Sequence, residues 1–80
     1  MKLEFSKASE YLFNLTNEKW LSAHYETALY IKRQHIDLNK IKTILDDNDI
    51  KYIDGYEYIL IGVEDIIVSI RNNKLKELLN

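Results

Sequence analysis

Cysteine and proline are both absent from this 80-residue chain, and glycine occurs only at Gly55 and Gly62. Without cysteine there is no disulfide scaffold, no thiolate zinc site and no cysteine nucleophile. Two isolated glycines cannot build a glycine-rich phosphate loop. Long apolar runs are missing as well: none approaches the roughly 18 residues of a membrane span, and Met1-Lys2-Leu3-Glu4 does not open a signal peptide. The expectation is a cytoplasmic chain with no membrane contact. Nor is positive charge in excess. Eleven Lys and Arg stand against thirteen Asp and Glu, a net charge of -2, which excludes the strongly basic class but leaves room for a local basic face.

What remains is the balance of an ordinary folded domain, 46% hydrophobic and 30% charged. There is no repeat, linker or low-complexity stretch, so residues 1–80 are read as one domain. Eleven Ile, nine Lys and seven Asn against three Ala and two Arg look like coding from an AT-rich genome, such as a low-GC bacterium or its phage.

Along the chain, Leu3 and Phe5 alternate with Lys2 and Glu4 and predict a short N-terminal strand. Ser6 or Ser9 caps a helix with the stripe Ala8, Tyr11, Leu12 and Leu15. Thr16 or Asn17 supplies a cap for a second helical stretch carrying Trp20, Leu21, Tyr25, Ala28, Leu29 and Lys32, and residues 6–34 read equally as one helix or as two. Asp37 is the expected N-cap of a third helix, Leu38 to Asn48, whose face is Leu38, Ile41, Ile44 and Leu45. Ile50 to Ile61 carries the strongest local signal, two runs of β-formers around Asp54-Gly55, a dipeptide suited to a type I′ turn. A two-residue loop there pairs Ile53 with Tyr56, Lys51 with Tyr58 and Ile50 with Ile59. Alternation puts Ile50, Tyr52, Ile59 and Ile61 on one face and Lys51, Ile53, Tyr56, Tyr58 and Leu60 on the other. A last helix starts at Val63, with Glu64 and Asp65 at its positive end; Leu75, Leu78 and Leu79 extend it unless Asn72-Asn73 interrupts. The expected class is α+β: a small helical domain with an antiparallel β-hairpin, three-stranded if Leu3–Phe5 joins it.

Tyr25-Glu26-Thr27-Ala28 through Ile36-Asp37-Leu38, then Ile50 to Ile61, then Val63-Glu64-Asp65-Ile66-Ile67 follow the order helix–turn–helix, wing hairpin, acidic-start helix. In that order the chain resembles the excisionase/MerR-type winged-helix proteins. The resemblance implies a winged-helix-like fold and DNA binding by Lys32, Arg33, His35, Lys40, Lys42 and Thr43, with Lys and Arg on phosphates and base edges. Residues 19–42 hold five basic side chains against Glu26 and Asp37, a local +3. Residues 43–65 depart from the family, with seven acids against Lys51, a local -6. A wing tip of Asp54-Gly55 beside Glu57 meets phosphates with repulsion, and DNA affinity rests largely on neutralised phosphates.

Catalytic chemistry finds no support. His24 and His35 lack a histidine four residues away or an H-E-x-x-H pattern, and Ser22 and Ser69 have no identifiable base. Asp46, Asp47, Asp49 and Asp54 do not follow the Ca²⁺-loop spacing, because Ile50 and Tyr52 fall where oxygen ligands are required. No catalytic residue, metal or cofactor is expected. The leading expectation is a non-enzymatic protein that docks on a protein target. Its surface combines Ile53, Tyr56, Tyr58 and Leu60, rich in interface-prone types, with Asp46, Asp47, Asp49, Asp54 and Glu57. Small phage inhibitors of host defence, anti-CRISPR proteins among them, are similar in type: short, acidic, cysteine-free and without catalytic motifs, though no motif is shared. A DNA-binding winged-helix regulator is the alternative. A homodimer that covers the outer hairpin face is a further expectation, with Tyr58→Glu returning it to monomer.

Overall fold

A computed structural model describes residues 2–33 and 37–79, with side chains described over 3–33 and 37–74. The element order is α1 (Lys2–Thr16), β1 (Leu21–Ala23), β2 (Ala28–Lys32), α2 (Leu38–Asp47), β3 (Ile53–Asp54), β4 (Tyr58–Gly62) and α3 (Val63–Leu79). The class is α+β, as expected. Its sheet is larger than a hairpin: four antiparallel strands in the order β1-β2-β4-β3.

The N-terminal segment is helical, contrary to the expected strand at Leu3–Phe5. Four alternating residues are too few to fix a period, and Phe5 extends the Ala8–Leu12 stripe back by one turn. Phe5, Tyr11 and Leu15 pack against a core in which Ala8 and Leu12 are buried. Ser6 and Ser9 therefore lie inside the helix rather than at its cap. The helix ends where Asn17 turns left-handed at φ 56° and its N–H bonds the Phe13 carbonyl at 2.7 Å, the single-bond C-terminal stop for which Asn is suited.

The larger departure covers residues 20–32, expected as a helix, of which 21–32 form the β1–β2 hairpin. In Leu29-Tyr30-Ile31-Lys32 the residues alternate in and out, with Leu29 and Ile31 buried. That period of two, in β-favouring residues, outweighs the looser three-and-four spacing of Leu21, Tyr25 and Ala28. The loop is made by His24, Tyr25 and Glu26, three successive left-handed residues at φ 50°, 56° and 66°. Thr27 closes it, with both its N–H and its hydroxyl donating to the His24 carbonyl. Left-handed backbone costs an L-residue roughly 1–2 kcal/mol, whereas glycine's extra unfolded freedom costs about 0.5–1. Glu26→Gly is therefore expected to raise stability by about 0.5–1 kcal/mol, read as a higher urea midpoint at unchanged slope. A lower midpoint would mean that Glu26 is not held left-handed in solution.

The second half follows expectation more closely. Asp37 caps α2, its carboxylate accepting from the Asn39 N–H at 3.0 Å, and Leu38, Ile41 and Leu45 are buried. The last helix runs through Asn72-Asn73 without interruption, and the Asn73 amide donates to the Tyr11 hydroxyl of α1. The β3–β4 hairpin forms, but in another register: Ile53 faces Leu60 and Asp54 faces Ile59. Neither Asp54 nor Gly55 has the positive φ that a type I′ turn needs. Instead Gly55 N–H bonds the Tyr58 carbonyl at 2.9 Å, so Tyr56 and Glu57 take the corner, and Arg33 N–H bonds the Glu57 carbonyl at 2.9 Å.

Leu29, Ile31, Ile59 and Ile61 point from the central strands into one core with residues of α1, α2 and α3. The three helices thus share one face of the sheet. Among the described residues, the other face is bare.

Candidate functional site

Register places one side chain from every strand in a row across the bare face. Leu21 faces Tyr30, Tyr30 faces Leu60 and Leu60 faces Ile53. Leu21 is 44% and Ile53 60% exposed, the two outer members of the row, while Tyr30 and Leu60 between them are half-buried by their neighbours. Beside the row Lys32 faces Tyr58 on the adjacent central strand. Tyr58 continues into the turn, where Tyr56 is exposed.

The position of Tyr58 explains Gly55. An ideal Cβ on residue 55 would lie 2.6 Å from two atoms of the Tyr58 ring, so the glycine makes room for an aromatic side chain. Its role is steric and not conformational. Tyr30, Lys32, Arg33, Tyr56 and Tyr58 line a shallow groove of about 640 Å³, with Glu57 as its carboxylate. Arg33 and Tyr56 also border a second groove of about 560 Å³ that runs towards Asn39 and Lys42 of α2.

The residues expected to act together are divided between two sides of the molecule. Ile53, Tyr56, Tyr58 and Leu60 belong to the bare face or its rim. Asp46 and Asp47 close α2, Asp49 follows at φ 56°, and all three are exposed in the helical layer. Asp54 sits on the inward-facing side of β3, opposite Ile59, where its carboxylate bridges Lys42 Nζ at 2.8 Å. Burial of the half-exposed Tyr52 phenol, then the Asp46 carboxylate that it meets, raises its pKa above the ordinary 10.0. Of the acids expected in the surface, Glu57 borders the groove with the tyrosines and Asp54 borders the second groove.

The expected DNA-contacting set is divided too. Lys32 and Arg33 are exposed at the end of β2, whereas Lys40 and Thr43 are exposed on α2 beside the half-buried Lys42. His35 lies outside the described residues. Because residues 21–32 form a β-hairpin, the helix that would precede α2 in a helix–turn–helix is not formed there. Leu21 and Tyr30 are the members of the face that sequence reasoning missed, and the alternation of Leu29 to Lys32 was the signal for them. Among the described residues no group of three His, Asp or Glu is placed to hold a metal ion, and no helix is long and apolar enough to cross a membrane.

No protein-family model matches the chain, and neither a curated protein nor a solved structure matches it.

Proposed function

We propose that this is a non-enzymatic binding protein that docks on a protein target through the bare face of its sheet, in the manner of a small phage-type regulator or inhibitor. The observation that carries this reading is the row Leu21–Tyr30–Leu60–Ile53, which crosses all four strands and, among the described residues, has no helix over it. A sheet face that carries Tyr and Leu on its central strands, Leu and Ile on its outer ones, and Tyr and Arg at its rim has the make-up of an interface core. The acidic end of α2 lies in the other layer and is a solvated surface in this reading.

The test is affinity for an interactor from the native host, identified by mass spectrometry and then purified. Truncating both outer members of the row, Leu21→Ala with Ile53→Ala, is expected to weaken binding about thirtyfold or more, the range of an interface hot spot. Asp46→Asn with Asp47→Asn is expected to leave it within a few-fold. Equal affinity for wild type and the Leu21/Ile53 variant, with folding verified by circular dichroism, would remove the bare face from the function.

A further inference from the structure

The groove at the β2–β4 end of the face differs in chemistry from the aliphatic row. Tyr30 and Tyr58 occupy neighbouring central strands, offset by two residues, because Tyr30 faces Leu60 and Tyr58 faces Lys32. Diagonal neighbours of this kind lie about 7–8 Å apart, within the reach of two successive nucleotides whose bases are splayed. Tyr56 adds a third ring at the turn and is 86% exposed. Lys32 and Arg33 border the same rings together with His24, and among the described residues Glu57 is the carboxylate set against them. The positive charge is local, since the whole chain carries -2.

We infer that this groove binds single-stranded nucleic acid, with bases stacked on Tyr30 and Tyr58 and phosphates held by Lys32 and Arg33. Aromatic platforms beside a cationic track are how sequence-tolerant single-strand sites work, because every base has a π-face to offer. A duplex hides those π-faces in its own stack, and its major groove is entered by a projecting helix or ribbon; here the rings and cations line a groove on the face of a sheet. A second copy of the chain laid over the groove would bring Lys32 and Arg33 against their own counterparts. The site goes beyond protein docking and does not depend on it: Leu21 and Ile53 carry the one, Tyr58 and Lys32 the other. Tyr30 and Leu60 are common ground, so a docked protein and a bound strand compete.

The experiment is fluorescence anisotropy of labelled oligo-U and oligo-dT with the full chain at about 50 mM salt. Saturable binding to either strand supports the site, and the ratio between the two arms says whether RNA or DNA is preferred. Tyr58→Ala is expected to weaken binding about fivefold or more, as loss of one stacked base does. Lys32→Gln is expected to reduce the slope of log affinity against log salt by about 0.7, one phosphate on a single strand. Glu57→Gln is expected to tighten binding. Gly55→Ala pushes the exposed Tyr58 ring off its seat, and is expected to mimic Tyr58→Ala in binding while leaving the melting temperature close to wild type. Leu21→Ala with Ile53→Ala leaves strand binding unchanged, which separates failure of this site from failure of protein docking. The inference is overturned by the absence of saturable binding to both strands. It is equally overturned if Tyr58→Ala binds as wild type does, or if a duplex of equal length binds as tightly. Displacement of the strand by polyglutamate at equal charge concentration would likewise overturn it, and would point to an acidic protein as the occupant.

Discussion

Ile59→Ala is expected to destabilise the fold by roughly 2–5 kcal/mol, the range for a large aliphatic side chain removed from a core, whereas Ile53→Ala is expected to change it by less than about 0.5. The two residues belong to the same hairpin and to cross-strand pairs one step apart, Asp54 with Ile59 and Ile53 with Leu60. They differ in face. Ile59 is 0% exposed and packed among the helices, and Ile53 is 60% exposed on the bare side. A domain of this length has about 4–12 kcal/mol of stability in all, so the first variant loses a large fraction and the second almost none. Urea unfolding monitored by circular dichroism measures both. Equal losses would mean that something covers Ile53 in solution, and would redirect attention to self-association.

Thr16→Val is expected to cost about 1–3 kcal/mol, although it replaces a hydroxyl by a methyl of nearly the same size. The Thr16 hydroxyl donates to the Leu12 carbonyl at 2.7 Å and accepts from the indole Nε1–H of Trp20 at 3.1 Å. It also accepts from the Glu18 N–H at 3.3 Å, so it joins the end of α1 to the segment that leads into β1. Both side chains are buried. Valine therefore strands an indole N–H where water does not reach, and an unmade bond costs more than the bond itself contributes. In a Trp20→Phe background the orphaned donor no longer exists, and the further effect of Thr16→Val is expected to shrink to a few tenths of a kcal/mol. A loss below about 0.5 kcal/mol for Thr16→Val alone would show that the indole finds another acceptor.

How much of this was legible in the sequence depends on the range of the forces involved. The Asp37 cap and the Leu38–Ile41–Leu45 stripe are local, and both are found as read. The two faces of Ile50–Ile61 were also legible, even though the register was not. Ile53 moves from opposite Tyr56 to opposite Leu60, an even number of residues, and an even shift leaves each side chain on its own face. What moved the register is not local. Asp54 is paired in the strand with Lys42 from another element, and the tight turn falls on Tyr56-Glu57, with the Tyr58 ring lying over Gly55. Residues 20–32 failed for a different reason: three consecutive left-handed residues without a glycine are a turn that no residue preference announces. With that hairpin read as a helix, Leu21 and Tyr30 were lost from the candidate face, and the acids at 46–54 appeared to share a surface with tyrosines that the sheet sets on its other side.

The outermost strands are short, three residues in β1 and two in β3. Each offers few backbone groups to an incoming chain, too few to template a further strand against the cost of ordering it. Growth within the plane of the sheet, the route to fibrils, is thereby cut off on both sides. The exposed aliphatic row then presents a hazard in one direction alone, perpendicular to the sheet, where contact ends with a single layer. A concentrated solution of this protein should form discrete, reversible pairs at most and remain free of thioflavin-positive filaments, even though a fifth neighbour could in principle extend the ladder of any longer-edged sheet.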